Sequence, residues 1–147
     1  DFAITWSTNP HPPEIFYNQL VQAQKWIQNR NAFVGVAQGD GSSSKGEFGL
    51  AAFLLITDGI NGYYHYTDNR DMYNGYFEYP DYSATLGYPL QDFSVTGRDD
   101  SGNPISYQRE FECGTVTLDL KEQAYSIQTN EVCQFRYQLQ RTPRWVK

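Results

Sequence analysis

The hydrophobic positions of the first 57 residues alternate between strand-like and helix-like patterns. Phe2–Trp6 is a short, mostly apolar run and Ala32–Ala37 is a continuous one, and both are typical of buried strands. Between them, from about Glu14 to Asn29, apolar residues recur at spacings of four, three and four, which predicts an amphipathic helix. The apolar stripe of this helix consists of Phe16, Leu20, Ala23 and Ile27.

A second helix is predicted after the polar, glycine-rich stretch that follows Ala37. Ser44 and Glu47 have the spacing of a capping box, in which each side chain accepts a hydrogen bond from the other residue's backbone N–H. The run Phe48–Ile56 leaves this helix no polar face, so we expect it to be largely buried. The order strand, helix, strand, helix predicts parallel strands joined by right-handed crossovers.

After Ile56 the pattern becomes that of short strands and turns. Turn signals at residues 58–59 and 61–62 precede a strand-like segment, Tyr63–Thr67. A long irregular stretch, residues 68–92, is followed by segments typical of antiparallel strands: Ser106–Cys113, Thr115–Leu120, Ala124–Thr129 and Gln134–Gln140. We therefore predict an α/β fold followed by antiparallel β, with residues 1–57 as parallel strand–helix units and residues 58–147 as a long tyrosine-rich loop and an antiparallel sheet.

Two parallel strand–helix units do not make a stable sheet by themselves, because parallel strands need neighbours on both sides. We expect further parallel strands to come from an upstream segment or from a second chain. Asp1 is not preceded by Met or by the apolar segment of a signal peptide. This indicates either that a leader was removed or that the sequence is a piece of a longer protein.

Composition narrows the class of protein. The apolar share is only 39%, but aromatic residues reach 16%, so we expect a core rich in rings. The longest apolar stretch, Leu50–Ile56, is too short to span a membrane, and the net charge of −6 argues against a general nucleic-acid binder. The last 16 residues carry four basic residues and no acid, so this tail either folds onto the acidic body or docks on an acidic partner.

Cys113 and Cys133 are the only cysteines. They flank a segment that reads as a hairpin centred near Lys121 and Glu122, and such a hairpin would bring the two cysteines close together. A disulfide between them would suit a secreted protein, and the alternative is two reduced, half-buried thiols.

The loops after the first two predicted strands carry the candidate site. Because the carboxyl ends of parallel strands meet at one edge of a sheet, Trp6 should lie near Gln38 and Asp40. Trp6 offers a ring face on which a sugar can stack, and its alternative role is as a core residue at the rim of a barrel. Asp40 offers a carboxylate for acid or base work, although an aspartate in a glycine-rich loop is more often a turn former.

Other kinds of site lack their residues. His11 and His65 are the only histidines, and neither has a second ligand at zinc spacing. The sequence has no nucleophile elbow and no phosphate-binding loop, and its acidic stretch at residues 68–71 departs from a calcium loop. We therefore expect no metal and no cofactor.

A tyrosine repeat lies inside the long irregular stretch. Tyr73, Tyr76, Tyr79 and Tyr82 recur every three residues among carboxylates and amides. This combination suits carbohydrate binding, but such rings more often anchor a long loop onto the body of the protein.

Two later segments resemble a known family. Two stretches, 82–90 and 107–116, are similar to a late segment of glycoside-hydrolase-like (β/α)₈ barrel proteins. The first contains Leu86-Gly87-Tyr88-Pro89-Leu90, and the second ends in Arg109-Glu110-Phe111-Glu112-Cys113-Gly114-Thr115-Val116. In those proteins an L-G-x-P-L turn precedes an R-x-F-x-x-G-x-V strand just after the barrel closes. The helix Phe48–Ile56 resembles their last barrel helix, and the resemblance covers roughly residues 1–120.

The resemblance implies that the chain holds the last two βα units of such a barrel and a small β appendage. Phe2–Trp6 would be the seventh barrel strand, Ala32–Ala37 the eighth, and Tyr63 onward the appendage. Catalytic carboxylates of these enzymes usually lie on earlier strands and must flank one glycosidic bond, so no catalytic pair is carried over. Trp6, Gln38 and Asp40 map only to the rim of the implied cleft.

Two functions follow from these patterns. The first is the carboxyl-terminal portion of a secreted glycosidase-like protein, extracellular or at the cell surface, with carbohydrate as its partner and no catalysis by this chain alone. The second is a non-enzymatic glycan- or protein-binding or structural protein that has kept the barrel scaffold.

Overall fold

The computed structural model describes residues 12–39, 42–68 and 85–130, which contain two helices and six strands. In chain order the elements are α1 (Pro13–Gln28), β1 (Phe33–Gly39), α2 (Ser43–Leu54), β2 (Gly62–Asp68), β3 (Ser94–Arg98), β4 (Pro104–Phe111), β5 (Gly114–Asp119) and β6 (Ala124–Thr129). The predicted strands Phe2–Trp6 and Gln134–Gln140 and the tyrosine repeat lie outside the described residues.

Helix α1 forms where its apolar spacing predicts it. Pro13 lies in the first turn, where a missing backbone N–H costs no helical hydrogen bond. The whole predicted stripe is buried: Phe16, Leu20, Ala23 and Ile27. The helix ends at Gln28, and Arg30 then turns the chain with a left-handed φ of 62°.

Helix α2 confirms the prediction of a buried helix but not the predicted cap. Ser42 is the N-cap residue and makes no side-chain cap hydrogen bond, so the capping box assigned to Ser44 and Glu47 is wrong. Glu47 is used elsewhere, because its carboxylate accepts a hydrogen bond from the Tyr125 hydroxyl on β6. Tertiary contact with β6 therefore replaces the local cap.

Strand β2 is present where a strand is predicted at Tyr63–Thr67, but it pairs parallel to β1. The resemblance placed Tyr63 onward in the appendage, and this assignment is corrected: β1, α2 and β2 form one β–α–β unit. The reason is that α2 carries the chain back across the sheet, so that the strand after it re-enters beside β1 in the same direction. Residues 58–61 are thus a helix–strand connection, closed by Asp58, whose carboxylate accepts the backbone N–H groups of Ile60 and Asn61.

The other four strands form the antiparallel sheet β3-β4-β5-β6. Strand β6 has the bounds predicted from the sequence, β4 and β5 lie close to theirs, and β3 was not predicted. The β5–β6 hairpin lies where the cysteine argument places it. Cys113 is buried and is not a free thiol, and Cys133 lies outside the described residues, so their pairing stays a prediction.

The helices lie between the two sheets. Helix α2 contacts β1 and β2 on one side and β5 and β6 on the other, and α1 contacts both β1 and β4. Ring packing joins the layers: the Phe16 and Tyr107 centroids are 5.6 Å apart, and Phe33 stacks on Phe53 at 6.5 Å. The core is therefore built around the helices, and the outer face of the parallel sheet lies outside it.

Candidate functional site

The two faces of the parallel sheet have opposite surroundings. The face toward α2 is closed: Phe33 stacks on Phe53, and the Tyr64 hydroxyl donates to the Gly46 carbonyl oxygen at 2.6 Å. Glycines on this side allow close approach, since a Cβ on Gly49 would come within 2.8 Å of the Ala37 Cβ. This face is an ordinary helix–sheet interface.

The opposite face, which we call the open face, is formed by alternate residues of β1 and β2. The register aligns three pairs of residues, and aligned residues of parallel strands point to the same side. The pairs are Val34 with Tyr63, Val36 with His65, and Gln38 with Thr67. Val34 and Tyr63 are 49% and 64% exposed, which is unusual for side chains of a parallel sheet.

The open face changes from apolar to polar along the strands. Val34 and Tyr63 lie at the amino-terminal end, and Gln38 and Thr67 lie at the carboxyl end. His65 occupies the middle row and is half-buried. The polar end is thus the carboxyl edge of the strands, where α/β folds hold their ligands.

One of the three predicted substrate-binding residues is placed by the structure. Gln38 lies at the carboxyl end of β1, half-buried and on the open face. Trp6 and Asp40 lie outside the described residues, so their roles stay predictions. His65 and Thr67 were missed as candidates, because only the parallel register of β2 brings them beside Gln38.

The part of the chain that is described holds no group of three or more metal-ligating side chains. Nor does any helix in this part have the length and apolar character that a membrane span requires.

The two segments that carry the family resemblance pack against each other. They do not lie at the carboxyl edge of β1 and β2. Backbone hydrogen bonds join them: the Cys113 N–H donates to Leu86 O at 2.9 Å, and the Leu90 N–H donates to Glu110 O at 3.0 Å. Gly87 has φ +73°, a conformation that favours glycine, and its neighbour Tyr88 donates its N–H to the Glu112 carboxylate. These motifs therefore build a junction, which we call the motif junction, with a structural role.

Arg109 fixes the motif junction to α2. Its Nη1 donates to Leu55 O at 2.9 Å, to Thr57 O at 2.8 Å and to Leu54 O at 3.2 Å, and its Nε donates to Gln91 O at 2.8 Å. The last carbonyls of a helix have no partner within the helix, and a buried cation suits them. Burial lowers the pKa of Arg109 to about 10, which leaves the side chain charged at neutral pH.

No family model matches this sequence, and no curated protein is similar to it at a significant level.

Proposed function

We propose that this chain is the carboxyl-terminal portion of a secreted, glycosidase-like carbohydrate-active protein with a (β/α)₈ barrel, and that it is not catalytic by itself. The observation that carries the proposal is the open face of β1 and β2, opposite the helices. In a (β/α)₈ barrel the helices form an outer ring and the inner faces of the strands fill the interior. A two-stranded parallel sheet with one face covered by helices and an opposite face whose Val34 and Tyr63 are exposed has the form of such a wall.

The parallel pairing of β2 shifts the assignment of strands by one. If the barrel closes just before the motif junction, β2 is its eighth strand and β1 its seventh, and Phe2–Trp6 becomes the sixth. The missing strands would then cover the open face and pair with the outer edges of the sheet. They would come from an upstream segment or a second chain.

Secretion is proposed from the cysteines. Cys113 is not a free thiol, and the Asn130 N–H donates to Cys113 O at 2.7 Å, so the chain returns beside Cys113 three residues before Cys133. A Cys113–Cys133 disulfide would fit an extracellular or cell-surface protein. Intact mass under non-reducing and reducing conditions, with free-thiol labelling, tests the pairing.

The experiment that tests the barrel compares the 147-residue chain with the longer polypeptide that this proposal requires, which we call the full-length polypeptide. The chain alone should show no hydrolysis of oligosaccharides and low thermal stability, and co-expression with the upstream segment should restore both. Turnover by the chain alone, or an upstream sequence without strand–helix units, contradicts the proposal.

A non-enzymatic glycan-binding or structural protein is the second candidate. The six residues of the open face include no carboxylate, so a catalytic pair would have to come from outside this face, and without one the scaffold can bind a glycan but not hydrolyse it. Glycan binding without turnover by the full-length polypeptide would select this candidate. Hydrolysis would reject it.

A further inference from the structure

His65 is an unusual residue for its position. It lies in the middle row of the open face, aligned with Val36 of the neighbouring strand. Interior positions of parallel strands are normally filled by branched apolar residues. An imidazole there must meet polar groups, because burying a polar side chain without a hydrogen bond costs free energy.

Among the six described residues of the open face, the amide and the aliphatic hydroxyl lie on one side of His65. Toward the carboxyl edge come Gln38 and Thr67, two positions further along the strands, or roughly 6.6 Å at the usual rise of a strand. Toward the amino-terminal end come Val34 and Tyr63, which are apolar or aromatic. His65 is therefore the member of this polar group that lies furthest from the carboxyl edge; His65 and Gln38 are half-buried, whereas Thr67 is buried.

The chemistry of this group suits a polyhydroxylated ligand. An amide, a hydroxyl and a neutral imidazole each donate and accept hydrogen bonds. The open face has neither a basic side chain of the kind that binds phosphate nor a set of ligands for a metal ion. Sugar hydroxyls, which also donate and accept, match it best.

Resting on the proposed function, we infer that His65 and Gln38 contact a bound sugar directly and form the floor of the binding cleft. His65 hydrogen-bonds a hydroxyl of the deepest sugar unit, and Gln38 holds a second hydroxyl closer to the rim. Thr67 lies beside Gln38 and is 2% exposed, so it supports the floor.

The test uses the full-length polypeptide and a panel of cello-, xylo-, manno- and galacto-oligosaccharides, with affinity measured by calorimetry. His65→Ala and Gln38→Ala should each weaken binding of the recognised oligosaccharide at least about tenfold, and His65→Gln should restore part of the loss. Val34→Ala, at the apolar end of the same face, is the matched control and should leave affinity unchanged. Thermal unfolding checks that each variant is folded.

A second measurement observes ligand contact in the wild-type protein itself. The imidazole proton signals of His65, assigned with His65→Gln, should shift when the oligosaccharide is titrated into the wild-type protein. If wild type binds a glycan but neither the signals nor the affinity respond at His65 and Gln38, this inference is wrong while the proposed function stands. If wild type binds none of the panel, both are overturned.

Discussion

Arg109 shows how a single side chain can serve two elements at once. It is 5% exposed, and its guanidinium carbon lies 5.6 Å from the centre of the Phe111 ring while its nitrogens reach the end of α2. The charge is thus compensated by carbonyl oxygens and by the face of an aromatic ring. The arginine of the R-x-F pattern therefore has a physical role that requires no substrate.

Replacing Arg109 by Met should lower the free energy of unfolding by about 3 kcal/mol, because several buried carbonyl oxygens lose their donor. Arg109→Lys should recover only part of this, since an ammonium group cannot reproduce the planar fork. Denaturant unfolding measures both. Arg98→Met removes an exposed arginine whose Nη1 donates to the Gly102 carbonyl oxygen at 2.8 Å, and it should cost less than about 1 kcal/mol. Equal losses for Arg98 and Arg109 would contradict this account.

Gly114 is required by close packing. A Cβ there would overlap the main-chain oxygen of Gln128 and come within 2.7 Å of Leu86 Cδ2. Gly114→Ala should therefore destabilise the protein by at least about 2 kcal/mol, since a backbone oxygen in a sheet cannot move aside. The control is Gly102→Asn at an open turn with φ +83°, which should cost less than about 1 kcal/mol in the same thermal unfolding measurement.

Asp119 should make part of the stability dependent on pH. A hydrogen bond from the backbone N–H of Glu122 has the largest effect and lowers the pKa of the Asp119 carboxyl below the usual 3.8 of the unfolded state. Burial opposes this with a smaller effect, and the Ser106 hydroxyl lowers the pKa further. The stabilisation that these hydrogen bonds give is present above that unfolded-state pKa and is lost as pH falls through the lower folded-state pKa. Asp119→Asn should therefore cost up to about 1 kcal/mol at pH 7, and this difference should shrink below about pH 4.

Denaturant unfolding from pH 7 to pH 2 measures this change. Ser101→Ala, in the neighbouring β3–β4 turn, removes no ionisable group and should keep a constant difference from wild type. A difference for Asp119→Asn that is independent of pH would refute the role of its carboxylate.

At the scale of elements, the sequence predicted best what depends on local pattern. The stripe of α1 and the bounds of β6 are properties of a few turns or residues, and both are confirmed. The partner of β2 depends on where α2 returns the chain, and the turn signals at residues 58–62 do not contain that information. For the same reason Gln38 was found at the carboxyl edge and His65, on the next strand, was not.

The false capping box at Ser44 and Glu47 leads to a prediction about α2. Because Glu47 accepts the Tyr125 hydroxyl, Tyr125→Phe should lower the free energy of unfolding by about 1 kcal/mol. Tyr88→Phe, at a residue that is 57% exposed, is the matched control and should be neutral. Hydrogen exchange in the first turn of α2 should increase in the first variant only. Faster exchange in both variants would indicate a general loss of stability.

At the scale of the whole molecule, the layers are complete on one side and open on the other. The antiparallel sheet covers the helices, and the helices cover one face of the parallel sheet. The other face holds Val34 and Tyr63 exposed. Whether that face is buried in the full-length polypeptide can be measured without any ligand.

Val34→Lys should cost less than about 1 kcal/mol in the 147-residue chain, because Val34 is already 49% exposed there. If the full-length polypeptide forms the proposed barrel, the same substitution puts a charge in the barrel interior and should cost at least about 3 kcal/mol. Leu90→Lys, on the appendage and 65% exposed, is the control and should be tolerated in both. A mild effect of Val34→Lys in both contexts would mean that the open face stays in solvent.

The motif junction also bears on how the molecule can be divided. Expressing the parts on either side of residues 69–84 as two separate proteins would part Arg109 from the carbonyl oxygens of Leu54, Leu55 and Thr57. One part would then hold the Arg109 cation without its acceptors, and the other would hold carbonyl oxygens without their donor. The antiparallel sheet therefore cannot be removed as an independently folding unit. A chimaera that exchanges this sheet has to include the end of α2. After limited proteolysis, two pieces that stay associated should unfold on heating in one cooperative transition.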